Sequence, residues 1–98
     1  MIKLPLKIIQ DYCQAYPIQT LSVFGSALRD DFHAESDIDL LVQFIPNMPI
    51  TLLDIIGMET ELSDLVGKQV DLRTPNELSR YFRDDVLKEA VLVYERPK

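Results

Sequence analysis

Asp37-Ile38-Asp39-Leu40-Leu41-Val42-Gln43-Phe44 is the stretch that decides how this chain folds, and Phe24-Gly25-Ser26, ten residues before it, decides what stands beside it. Ile38, Leu40 and Val42 alternate with Asp37, Asp39 and Leu41, the period-two pattern of a half-buried strand. Side chains two apart on a strand share a face, so Asp37 and Asp39 project together while Ile38 and Leu40 turn to the core. Two carboxylates side by side in an apolar strand repel each other and lose hydration. A divalent cation between them removes both penalties. A few hard oxygen donors, with the remaining positions left to water and phosphate, suit Mg²⁺.

Thr20 to Phe24 reads as a strand that stops abruptly at Gly25-Ser26 and runs into a short helix. Such a turn offers backbone N–H groups and a hydroxyl to an anion. Gly25 lets the backbone approach a phosphate, Ser26 donates to it, and Arg29, one turn on, adds charge. A third carboxylate, Asp71, lies between Val70 and Leu72 in a further short strand, Lys68 to Arg73, and also points away from the core face. Were the two strands neighbours, Asp37, Asp39 and Asp71 would form a three-carboxylate site able to hold two metal ions about 3.5–4 Å apart. Triphosphate on the turn and metal on the carboxylates describe a site for nucleotidyl transfer.

Around this centre the remaining pattern is that of a small α/β domain. Leu6, Ile9, Cys13 and Tyr16 recur at helical steps, so residues 4–16 read as an amphipathic helix that Pro17 ends. Ile45 to Ile50, with Pro46 and Pro49, is a loop. Thr51 with Asp54 is a capping-box start, Leu52, Ile55, Ile56, Leu62, Leu65 and Val66 set the apolar stripe of the second long helix, and Gly67 stops it. Thr74-Pro75-Asn76-Glu77 is another helix start. The tail from Asp84 to about Tyr94 reads as helix, with pairing of Val91-Leu92-Val93-Tyr94 as an edge strand the alternative. The expected order is α-β-α-β-α-β-α-α, an α/β (α+β) fold with a small mixed sheet flanked by helices.

The whole chain bounds these readings. With 98 residues it buries roughly 60–65 % of its unfolded surface, enough for one modest core, so residues 1–98 are expected to form a single domain. Ten Lys and Arg are scattered among 16 Asp and Glu, giving −6, with no basic stripe to displace counterions from a phosphate backbone; direct nucleic-acid binding is not expected. No apolar run approaches the ~20 residues of a membrane span, and the first residues are too short for a secretory signal. One cysteine, Cys13, suits a reducing compartment, so the expected location is the cytoplasm.

Gly25-Ser26, the strand Asp37 to Val42, Lys68-Gln69-Val70-Asp71-Leu72 and the closing Val86 to Tyr94 resemble the minimal nucleotidyltransferase (MNT) domain of the DNA polymerase beta-like nucleotidyltransferase superfamily. The resemblance spans nearly the whole chain. It implies that Asp37 and Asp39 bind Mg²⁺, that Asp71 completes the site and acts as general base, and that Gly25 and Ser26 hold the triphosphate of ATP. One departure is visible: where the family commonly has Arg-Gly, Arg29 is followed by Asp30. Small stand-alone MNT proteins resemble the antitoxins of HEPN–MNT toxin–antitoxin pairs. That implies transfer of AMP from ATP to a tyrosine of a partner HEPN ribonuclease, in a hetero-oligomer with it. Two other functions fit the residues: a non-catalytic antitoxin that occludes its toxin, and a nucleotidyltransferase acting on a small molecule.

The other residues read as structural. His33 is expected as a solvated loop residue, Cys13 as core, and Tyr81, Phe82 and Phe24 as packing groups. Arg73 would point the same way as Asp71, toward a phosphate, the acceptor or solvent. Met48 and Ile50 in the proline loop are either a partner contact or loop closure.

Overall fold

The chain is described here by a computed structural model that covers residues 4–28, 37–81 and 83–97. Helix α1 spans Leu6–Ala15 and buries Ile9, Tyr12 and Cys13; Pro17 follows it and turns the chain into strand β1, Ile18–Phe24. A 3₁₀ turn over Gly25–Leu28 comes next, then strand β2, Ile38–Phe44. Helix α2, Leu52–Val66, begins at the capping box read from the sequence. Asp54 N–H donates to the Thr51 hydroxyl oxygen at 3.2 Å, and the Thr51 N–H donates to Asp54 Oδ2 at 2.9 Å. It ends where Gly67 takes the left-handed conformation, φ +79°.

Strand β3, Val70–Arg73, then lies parallel to β2, as a β-α-β connection requires, while β1 runs antiparallel to β2. After a 3₁₀ turn at Pro75–Glu77 come helix α3, Arg83–Glu89, and strand β4, Val91–Glu95. The four strands form one mixed sheet in the order β3-β2-β1-β4. One core joins Ile9, Cys13, Met58 and Leu62 of the two long helices to Leu21, Val23, Ile38, Leu40, Val42, Val70 and Leu72 of the sheet. The opposite sheet face, at the start of β2, is left for polar side chains.

The α+β class and the mixed sheet are as expected from the sequence, and three local expectations are corrected. The tail is not one helix. Its helical part stops at Glu89, and Val91–Glu95 pairs with β1, because a run of β-branched and aromatic residues gains more beside an open strand than in a helix. The Thr74 start signal nucleates only the three-residue 3₁₀ turn; Glu77 Oε1 accepts from the Thr74 N–H at 3.2 Å, and the next helix begins at Arg83. The apolar stripe expected on α2 is only partly used. Leu62 is buried and Ile55 and Val66 pack against the core, whereas Leu52, Ile56 and Leu65 stay exposed; Met58, outside the expected stripe, is buried as well.

Candidate active site

Register brings the carboxylates together. In the parallel β2–β3 pair Asp39 lies directly opposite Asp71, between Ile38↔Val70 and Leu40↔Leu72, whose side chains fill the core. Alternation then puts both carboxylates on the face away from the helices. Asp37 immediately precedes β2 and is exposed. The three are close enough to be felt electrically. Burial pushes the Asp39 carboxyl above the usual carboxylate range, the negative charges of Asp71 and then Asp37 push it further, and Arg73 pulls the other way.

The Gly-Ser turn meets the same carboxylate. Phe24, the last residue of β1, pairs with Asp39, so the chain turns at Gly25 against that side chain. Gly25 has φ +71°, and a Cβ there would collide with Asp39 Oδ2 and sit 3.2 Å from its Cγ. Glycine is therefore demanded twice, by conformation and by the approach of Asp39. Ser26 follows in the 3₁₀ turn. Arg29, Asp30 and His33, and Phe82 further on, lie outside the described residues.

Arg73 reaches back to the carboxylates. Its guanidinium stands 3.6 Å from Asp71 Oδ1 and 3.7 Å from Glu77 Oε2, half exposed, so its two acidic neighbours hold it beside the site. Among the described residues, Asp37, Asp39 and Asp71 act on one another here, with the Arg73 guanidinium beside them. Among the described residues no group of three or more His, Cys, Asp and Glu side chains is gathered as a finished metal cage. The donor set nonetheless fits Mg²⁺, which binds through one or two carboxylates and completes its shell with water and substrate phosphate. The repulsion that raises the Asp39 carboxyl is the charge such a cation would neutralise.

Residues 7–98 match the family described as polymerase beta, nucleotidyltransferase. The chain belongs to that family. Among its relatives, the protein adenylyltransferase MntA of Thermococcus cleftensis is 35 % identical over 82 residues, covering 82 % of this chain and 79 % of its own. A provisionally named protein adenylyltransferase of Methanocaldococcus jannaschii is 38 % identical over 74 residues, 76 % of this chain and 77 % of its own. A solved minimal nucleotidyltransferase, also provisionally named, superimposes with a TM-score of 0.72 at 32 % identity, over 88 % of this chain and 86 % of its own. The fold is also that of a toxin–antitoxin crystallised with AMP-PNP, with a TM-score of 0.77 at 19 % identity, over 95 % of this chain and 75 % of that one.

Two residues of this nucleotidyltransferase matter to the site although no sequence motif marks them. Glu59 Oε2 accepts the Leu72 N–H at 2.8 Å, and the Ser63 hydroxyl oxygen accepts the Val70 N–H at 2.9 Å. Both lie on α2 and bind the outer edge of β3, one on either side of Asp71. Elsewhere, Cys13 is fully buried, as expected, and burial pushes its thiol up to about 11. Tyr81 departs from expectation: it is 82 % exposed, with the Arg80 guanidinium 5.2 Å from its ring centroid.

Proposed function

We propose that this nucleotidyltransferase is the antitoxin of a HEPN–MNT pair and silences its partner by moving AMP from ATP to a tyrosine hydroxyl of that ribonuclease. The observation that carries the reading is the meeting of Gly25, Asp39 and Asp71 at one end of the sheet. The adenylyltransferase names of the relatives, and a likeness to solved toxin–antitoxin complexes, one of them a tri-AMPylated Shewanella oneidensis HEPN toxin with its MNT antitoxin (TM-score 0.62), support it.

In this reading Gly25 and Ser26 receive the triphosphate, Gly25 because its bare backbone admits a phosphate oxygen close by and Ser26 through its hydroxyl, with Arg29 adding charge. Asp37, Asp39 and Asp71 would hold Mg²⁺, which supplies positive charge to the triphosphate and the departing pyrophosphate. Asp71 takes the tyrosyl proton on a carboxylate oxygen as the phenolic oxygen bonds to the α-phosphorus and the bond to pyrophosphate breaks. Arg73, paired with Asp71 and Glu77, holds the Asp71 carboxylate in place beside the acceptor. In this reading the acceptor tyrosine arrives on the partner. The reading puts the reaction in the cytoplasm, a reducing compartment that suits the free Cys13.

The test is to incubate the chain with its HEPN partner and Mg-ATP and weigh the partner by mass spectrometry. Whole AMP units should appear on tyrosine and be absent with Asp37→Ala/Asp39→Ala. Identical spectra from wild type and the double variant would remove the enzymatic reading.

A further inference from the structure

Helix α2 carries apolar side chains that this chain does not bury. Leu52 and Leu53 are 68 % and 79 % exposed, and Ile56 is 48 % exposed. In the middle of the same helix stands Gly57, where an added Cβ would meet nothing within 4 Å. Its φ is not positive, so neither backbone nor neighbour requires glycine there, although glycine in a helix interior costs about 1 kcal/mol relative to alanine. The missing side chain opens a groove of about 380 Å³ between α2 and the α1–β1 junction. Tyr16, Pro17, Ile50, Leu53 and Met58 wall it, and Glu61 stands in it.

The groove has a chemical polarity. The Glu61 carboxylate accepts hydrogen bonds from the Tyr12 hydroxyl at 3.2 Å and the Tyr16 hydroxyl at 3.0 Å, and the two rings stack with centroids 4.4 Å apart. Over its whole length α2 bears Asp54, Glu59, Glu61 and Asp64 and no basic residue. Apolar walls beside a carboxylate and a tyrosine face suit a guanidinium or ammonium carried next to an aliphatic side chain. A nucleic acid or nucleotide would be repelled. A second copy, itself carrying −6, would add its own repulsion. A ribonuclease, by contrast, must present cations to RNA phosphates, so its surface complements this one.

We propose that this groove docks an Arg- or Lys-bearing amphipathic helix of the toxin partner, an inference that rests on the antitoxin reading above. The groove lies where β2 ends: the Pro17 carbonyl accepts from Ile45 N–H at 3.0 Å, and Phe44 is the last residue of the strand. Asp39, near the start of β2, is about 17 Å away along the strand. Docking here leaves the carboxylates uncovered, so holding the partner and modifying it are separable.

The measurement is the affinity of the purified HEPN toxin for variants of this chain by calorimetry. Gly57→Leu fills the groove and improves helix propensity, so its Tm should not fall, while toxin affinity drops at least about tenfold. Glu61→Gln keeps an oxygen for both tyrosine hydroxyls but should weaken binding and flatten its salt dependence. Asp84→Asn, an exposed carboxylate on α3 outside the groove's lining, should bind as wild type does. Wild-type affinity in Gly57→Leu overturns the groove and leaves the antitoxin reading intact. Dimerisation of the chain alone that Gly57→Leu abolishes overturns it in favour of a second copy. If wild type does not bind the toxin at all, both readings fall.

Discussion

At position 25 a single hydrogen atom decides whether two strands and a carboxylate can meet. Any side chain there is both in the wrong backbone region and in contact with Asp39. Gly25→Ala is expected to cost about 1–3 kcal/mol in a urea titration and to abolish transfer, because relief of the clash displaces Asp39. Asp39 carries the opposite kind of burden. Its carboxyl is held above the usual range by burial and by Asp71 and Asp37, so the native state disfavours its ionisation. The contribution of a group shifted this way is fully present below the ordinary carboxylate pKa and is lost as pH rises through the raised value. Asp39→Asn should therefore raise the Tm at pH 7 without metal and remove this acid-side dependence. On the proposed function Mg²⁺ is expected to raise the Tm of wild type, and Asp39→Asn should reduce that rise and lower transfer at least about a hundredfold. A lower Tm for Asp39→Asn at pH 7 would contradict the electrostatic account.

At the scale of elements, the site depends on an edge strand being held in place. Parallel pairing to β2 leaves the outward amides of β3 without a strand partner, and α2 provides one in Glu59 and another in Ser63. Glu59→Ala would leave the Leu72 N–H without its carboxylate. It should cost about 1.5–3 kcal/mol and slow transfer through a misplaced Asp71, with faster amide exchange at Leu72 as the direct readout. Unchanged exchange at Leu72 would show that β3 does not need the clamp. This contact also marks the limit of what the chain's pattern could tell. Asp37, Asp39 and Asp71 were legible because alternation is local, and the Thr51 cap and Gly67 stop were legible because their hydrogen bonds span three or four residues. Glu59 and Ser63 sit on a helix among other acids and hydroxyls, and only the packing of α2 on β3 selects them. The closing segment was ambiguous for the same reason. Val91 to Tyr94 can be helix or strand by composition, and the vacant edge of β1 decides.

For the whole molecule, closure depends on a residue more than seventy positions from its partners. The last turn of α1 has no basic residue and its final carbonyls need donors. Arg96, just past β4, provides them: Nη2 donates to the carbonyls of Cys13 at 2.9 Å, Gln14 at 3.4 Å and Tyr16 at 2.6 Å, and Nε donates to Ile18 at 2.9 Å. Its backbone N–H continues the ladder to the Gln19 carbonyl at 2.8 Å, and the Gln19 side chain returns a bond to the Arg96 carbonyl at 3.3 Å. One planar guanidinium thus joins the end of a helix, the start of β1 and the chain's closing strand, a geometry that a lysine cannot reproduce with a single ammonium. Hydrogen bonds from a charged donor are worth about 1.5–3 kcal/mol each when a partner is removed, and these share one side chain, so their effects do not add in full. Arg96→Ala is expected to lower stability by about 2–4 kcal/mol, and Arg96→Lys to recover only part of it, both read from urea midpoints at unchanged m-value. Exchange of the amides of β4 and of the last turn of α1 should accelerate together in Arg96→Ala, because the same side chain restrains both. Acceleration in β4 alone would mean that the helix end is held by its own packing and that Arg96 anchors only the closing strand.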